Sequence, residues 1–285
     1  MFKLSSGNSN RLGLYLGASQ LQAVYLSPHG RRFLPAINLE TSQFSVESLC
    51  HSPQVLADGL HQLQQQLHRY HGRVSLSLPK SWIETGVISL PRSQSIEMTN
   101  GAALCRQHGV AVSDYDCLEL IGLAPDIRHP GQHLYRYAWI SGQLQGILKA
   151  LSQSCQWSLT RLDAAIYGLA RAWWAEQPAM PGRFAELYVA HIESKLEVGL
   201  FLQHRLLDWQ VLPDPSALSL QNYLANLAAI LARFPGVTII QVRCSQAEFC
   251  DDVSLPSLPI QWQIMTSLCC QNDGHWMAYG AALAL

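Results

Sequence analysis

Charge is scarce in this chain. Only 14% of the 285 residues are Asp, Glu, Lys or Arg, against about 25% in ordinary soluble domains. The 19 basic and 20 acidic residues nearly cancel, at a net −1. Without a basic excess there is no electrostatic footprint for nucleic acid or an anionic membrane as main partner. A surface this poor in charge is expected to hide partly against another protein. No apolar run approaches the ~18 residues of a membrane-crossing helix, and no signal-peptide core follows Met1, so a soluble cytoplasmic chain is expected. G-x-S-x-G, H-E-x-x-H, P-loop and G-x-G-x-x-G patterns are all missing, which removes the common hydrolase, zinc-protease and nucleotide signatures. Cys50, Cys105, Cys117, Cys155, Cys244, Cys250, Cys269 and Cys270 are scattered without a C-x-x-C pair and read as reduced, mostly buried thiols. Cys269, Cys270 and His275 fit no zinc spacing.

Apolar residues are plentiful, at 48%, enough for a large bilobed unit or two domains. Alternating stretches predict strands near 11–16, 21–27 and 31–39. A helix is expected over 53–70, with Leu56, Leu60, Leu63 and Leu67 on one face and Gly72 ending it, then a strand over 74–78. The same order returns: strands near 185–190, 196–201 and 205–211, a helix through Leu220, Leu224, Leu227, Leu231 and Phe234 broken by Pro235-Gly236, and a strand over 237–242. Three meandering strands, a helix and a strand, repeated at an offset of roughly 165–175 residues, read as a duplicated unit.

An extra α+β segment lies between the halves. It has strands near 85–90, 116–123 and 134–140, a helix around 94–108 opening at Ser93 or Ser95, and a helix through Leu144, Ile147, Leu148 and Leu151. A strand at 157–162 and a helix at 164–172 lead into the second half.

This order resembles the actin-like, ribonuclease-H-like fold: α/β, bilobed, two duplicated βββαβα lobes with an inserted α+β subdomain. Five motifs narrow the resemblance to the PilM family of type IV pilus assembly proteins. A G-x-D-x-G-x-S hairpin is matched by Gly13, Tyr15, Gly17 and Ser19. Leu78-Pro79 opens the insert and Leu90-Pro91 closes its first strand. Asp163-Ala164-Ala165 through Arg171-Ala172 precedes the second lobe, and Tyr279-Gly280-Ala281-Ala282-Leu283 closes the chain. Length and eroded motifs are most similar to the family's MSHA-pilus branch; the cytoplasmic domain of the secretion protein GspL is a neighbour.

Three departures decide what the resemblance implies. Tyr15 stands where the family carries a metal-anchoring Asp, and Gln22 near its usual Lys. Ala190-His191-Ile192 replaces the second Asp-x-Gly, and Arg243-Cys244-Ser245 replaces a Gly-Gly that would admit the adenosine. A Mg²⁺–ATP site needs hard oxygen ligands and neutralised phosphates, so hydrolysis is not expected and no cofactor is implied. Gly13, Gly17 and Ser19 could cradle a phosphate or simply serve a tight turn. Tyr15 could stack on a base or fill the core, and His191 could be a base or a structural histidine. Asp114 and Asp116 read as turn or cap residues, Asp251-Asp252 as solvated, and His61, His68 and His71 as a solvated helix face. Of Trp173 and Trp174, adjacent on a helix, one is expected at a junction or exposed patch unless both pack in the core.

The expectation is a non-catalytic cytoplasmic scaffold, held at the inner membrane through partners and without direct membrane insertion. By resemblance it would dock the cytoplasmic N-terminal peptide of a bitopic, PilN-like membrane protein beside strands 21–27 and 85–90 and the helix at 142–154. The assembly ATPase is a further candidate partner, and nucleic acid is not. A platform role in type II secretion and an active actin-like ATPase are the alternatives. The expected domains are 1–78 completed by 157–178, an insert over 79–156, and a second lobe over 179–285.

Overall fold

The computed structural model describes residues 10–17, 19–39, 45–68, 70–91, 101–176, 184–192, 195–214, 216–231, 239–244, 260–264 and 273–284. They fall into two compact units, Met1–Trp82 with Gln143–Pro181 and Ser267–Leu285, and Ile83–Gly142 with Gly182–Thr266.

The first unit is built on β1 (Arg11–Leu16), β2 (Gln20–Ser27), β3 (Gly30–Phe33), β5 (Arg73–Leu78) and β9 (Ser158–Ala164), in spatial order β3-β2-β1-β5-β9, with β4 (Ile37–Asn38) also on β2. β1 runs antiparallel to β2 and parallel to β5. Leu12, Leu14, Leu16 and Tyr15 are all buried, which is why β1 reads as a near-continuous apolar run instead of alternating. The expected strand 31–39 breaks at 34–36, where Pro35 has no N–H to give a ladder.

Helix α1 (Val46–His51), not anticipated from the sequence, is opened by a capping box between Ser45 and Ser48. Helix α2 (Gln54–Gln66) buries Leu56, Leu60 and Leu63. It stops short of the expected residue 70, because His68 takes the left-handed φ of 48° that ends the turn. Gly72 lies beyond the helix and makes room for the Tyr70 ring: a Cβ there would stand 2.3 Å from the phenol oxygen.

On this unit α5 (Ala165–Glu176) and α7 (Asp273–Leu283) pack together, and α7 lies across β1, β2 and β5. The crossings are backbone-close. A Cβ on Gly280 would stand 1.7 Å from the Gly168 carbonyl oxygen, and one on Gly13 would stand 1.9 Å from that of Ala278. The closing helix thus belongs with the first sheet, not with the second lobe to which the sequence assigned it.

Tyr70 sits between Asn10 O (2.9 Å) and Arg73 O (3.0 Å), and its own carbonyl accepts from Trp157 Nε1 at 2.9 Å. Burial, with the nearby Tyr25 phenol, pushes the Tyr70 hydroxyl up to about 12. An unfolded tyrosine ionises near pH 10, so between about pH 10 and 12 the unfolded chain loses this proton first. The stability Tyr70 contributes is therefore complete below pH 10 and drains as pH rises toward 12. Urea midpoints should fall across that window and fall less steeply in Tyr70→Phe; equal slopes would contradict this.

The second unit repeats the architecture with β10 (Phe184–Ile192), β11 (Lys195–Leu202), β12 (Arg205–Leu212), β13 (Ile239–Cys244) and β14 (Ile260–Ile264), in order β12-β11-β10-β13-β14. The directions repeat too: β10 is antiparallel to β11 and parallel to β13. β14 had no counterpart in the sequence reading. Helix α6 (Ala217–Leu231) packs Leu220, Leu224, Leu227 and Leu231 with Leu187, Val189, Leu196, Val198 and Val242 of the sheet.

The same unit holds the insert sheet β6 (Glu84–Pro91), β8 (Gln132–Ile140) and β7 (Cys117–Pro125), ordered β6-β8-β7, with α3 (Gly101–Gln107). Leu134 of β8 is fully buried in the α6 core. Arg128 donates to Ala229 O at 3.0 Å, and Arg205 donates to Gly122 O at 2.5 Å. The insert sheet is therefore fused to the second lobe, whereas the sequence drew 79–156 as a separate subdomain; its helix α4 (Gly142–Ser154) falls almost wholly in the first unit. Residues 92–100, part of the helix expected around 94–108, lie outside the described residues.

Candidate functional site

The first hairpin closes through Gly17 N–H donating to Gln20 O at 2.8 Å, and Leu39 N–H donates to Ser19 O at 2.7 Å. Gly13 lies inside β1, pairs with Val24, and is small because α7 passes over it. That gives it a packing reason separate from any turn. Tyr15 is only 2% exposed, in register with Gln22 of β2 and Ser77 of β5. Its phenol occupies core where the resemblance expects a carboxylate. Gln22, near the expected lysine, is buried and donates to Gln20 Oε1 at 3.1 Å, while its own Oε1 has no hydrogen-bond partner among the described residues.

In the second hairpin Ala190 is fully buried opposite Glu197; His191 pairs with Leu196, and Ile192 with Lys195. No carboxylate stands at positions 190–192. Arg243, where the resemblance expects glycine, is 3% exposed and ion-paired with Glu186 at 2.7 Å. Ser245 lies outside the described residues.

Sequence reasoning missed the polar face around that arginine. Glu186, Tyr188 and Ala190 alternate with apolar Leu187 and Val189 along β10, and Gln241 and Arg243 of β13 are the register partners of Glu186 and Tyr188. Arg243 donates to Gln241 Oε1 at 3.0 Å and lies 5.7 Å from the Tyr188 ring centre; Trp209 Nε1 donates to Glu197 Oε2 at 3.0 Å. All of these are buried. The signal was legible as polar residues in one phase of otherwise apolar strands.

The Asp163–Arg171 motif also acquires a physical reason. Asp163, at the end of β9, accepts from Arg161 Nε at 2.9 Å and from Arg171, and caps Ala164 N–H at 3.0 Å. Arg171 further donates to Gly280 O of α7 at 3.1 Å. One arginine thus ties strand end, α5 and α7 together.

The remaining candidates sort quickly. Asp116 accepts from Ser113 N–H (2.8 Å) in a local turn and from Gly142 N–H (3.2 Å) at the start of the helix over 142–154, whereas Asp114 forms an ion pair with Arg106. His61, His68 and His71 are exposed. Trp173 is buried and Trp174 half-buried on α5. Cys105, Cys155 and Cys244 are buried, Cys50 is half-buried and Cys117 is exposed. Burial pushes the Cys105 and Cys155 thiols up, the opposite of activation. Cys250, Cys269, Cys270, Asp251 and Asp252 and the side chain of His275 lie outside the described residues. Among the described residues no group of three metal-ligating side chains forms, and no helix is long and apolar enough to cross a membrane. Of the elements expected to border the peptide groove, β2 and α4 fall in the first unit and β6 in the second.

No family model and no curated protein matches the chain. Solved structures do. A Bacteroides thetaiotaomicron protein with an actin-like ATPase fold and unknown function matches with a TM-score of 0.53 at 11% identity, over 92% of this chain and 94% of that one. The fold is actin-like. The PilM-PilN type IV pilus biogenesis complex is similar with a TM-score of 0.66 at 13% identity, over 97% and 98%. The cytoplasmic domain of EpsL, an inner-membrane component of the Vibrio cholerae type II secretion system, reaches 0.58 at 11%, over 97% and 96%. These likenesses, at such low identities, establish the actin-like architecture and extend over nearly the whole chain.

Proposed function

We propose that this chain is a non-catalytic docking component of a type IV pilus assembly platform, of the MSHA-like kind, that binds the cytoplasmic N-terminal peptide of a PilN-like inner-membrane protein. The reading places it in the cytoplasm, held at the inner membrane by that partner. The observation that carries it is the pairing of an end-to-end likeness to the PilM-PilN complex with hairpins whose acid positions hold a core tyrosine, Tyr15, and a buried Ala190. Without carboxylates there, the groups that organise Mg²⁺ and its waters are gone, and what is left to the fold is surface recognition.

Such recognition of an extended segment would combine backbone pairing with side-chain pockets. Fluorescence anisotropy against labelled N-terminal peptides of PilN-like proteins tests it. Saturable binding to a native peptide and none to its scrambled version is expected; equal signals, or none, would contradict the reading. The likeness to the EpsL domain favours a second reading, a type II secretion platform, and peptides from secretion-system membrane proteins in the same assay separate the two.

A further inference from the structure

The whole-chain charge of −1 conceals an asymmetry. The first unit holds ten Lys and Arg against six Asp and Glu; the second holds nine against fourteen. Within the first unit the arginines are aligned. Arg31 of β3 pairs with Leu26 of β2, Leu26 with Arg11 of β1, and Arg11 with Arg73 of β5. Residues in one such row share a sheet face, so Arg11, Arg31 and Arg73 stand in line across the end of the sheet.

Two of them are direct neighbours. Arg11 and Arg73 are cross-strand partners, roughly 5 Å apart, and like charges placed so oppose folding. Among the described residues neither has a carboxylate partner; Asp163, in register with Ser77 toward the other end of β5, is taken by Arg161 and Arg171. Arg31 is steadied by rings, its guanidinium 4.8 Å from the Tyr279 centre and 5.8 Å from that of Phe33. Exposed Arg32 and His29 lie in and beside β3.

We propose that this row is an adsorption surface for the anionic phospholipids of a bilayer. Arg31 and Arg73 lie three strand spacings apart, about 14 Å, so the three guanidinium groups do not converge on one phosphate. They match an array of separate anionic groups. A bilayer supplies such an array without a built pocket, and attraction there accumulates charge by charge. The modest basic excess suits reversible adsorption rather than a nucleic-acid groove, which adds stacking aromatics to its charge. The inference rests on the platform reading for the presence of a membrane, and the charge geometry stands apart from it. The contact is superficial, and no segment inserts.

The test is co-sedimentation of the full chain with phosphatidylglycerol-containing vesicles and with pure phosphatidylcholine vesicles, at low and high salt. Binding only to the anionic vesicles, weakened by salt and reduced roughly 30-fold in Arg11→Gln/Arg73→Gln, is expected. The variant should be at least as thermostable as the parent, since it relieves a like-charge pair. Lys149→Gln/Lys195→Gln makes the same change in net charge at residues that are not part of the row and should bind like the parent. Absence of vesicle binding, undiminished binding in the arginine variant, or equal loss in the lysine variant would overturn the proposal. So would preferential, arginine-dependent binding of inorganic phosphate, a DNA oligonucleotide or a poly-glutamate peptide. Because the peptide assay uses no lipid, failure there and failure here are distinguishable.

Discussion

Gly280→Val is expected to cost at least about 4 kcal/mol, enough to leave the first unit largely unfolded. The added Cβ would stand 1.7 Å from the Gly168 carbonyl oxygen and 2.5 Å from its carbonyl carbon. Both are backbone atoms, so no rotamer change relieves the contact and α5 and α7 must separate. Separation would uncover Ala278, Ala281 and Ala282, all fully buried, and stretch the Arg171 bond to Gly280 O. Urea denaturation followed by circular dichroism measures it. A midpoint equal to that of the parent would show that the helices do not cross as closely as described.

The second large effect is expected at Arg243. Its side chain and that of its partner Glu186 are 4% and 7% exposed. Removing one member of a buried pair strands the other charge at low dielectric, a loss of about 3–5 kcal/mol. Arg243→Met should fall in that range. Glu186→Gln combined with Arg243→Met should recover part of it, because the double variant buries no unmatched charge. A single-variant cost below about 1 kcal/mol, or a double variant no better than the single, would contradict a desolvated pair.

Much of this architecture was legible in the chain. The repeated strand–strand–strand–helix–strand order emerges from apolar spacing alone, and both lobes fold in the order read. The boundaries that failed did so for particular reasons. Gly72 looked like a helix stop, but His68 took the left-handed conformation and Gly72 was needed for the Tyr70 ring. The closing helix follows the second lobe in sequence, and nothing local in its residues says that it packs on β1, β2, β5 and α5 of the first unit, as its close contacts with Gly13 and Gly168 show. Likewise Leu134 reads as one more strand leucine, with nothing local to say that it enters the α6 core.

The site was legible in part. Tyr15 and Ala190 are visible as replacements only against the resemblance; the structure then adds that Tyr15 is core. The arginine row was invisible because Arg11, Arg31 and Arg73 are far apart in sequence and their charge is cancelled by acids in the other unit. Net charge reports the sum over a chain, whereas recognition depends on where the charges lie.

The most direct test of the central claim, a docking body without a nucleotide engine, is thermal denaturation with and without saturating Mg·ATP. A ligand at 100 times its Kd adds about 2.7 kcal/mol to stability, a shift of several degrees in Tm. The account predicts an unchanged Tm. A Tm that climbs with Mg·ATP, and climbs less when the metal is chelated, would contradict it.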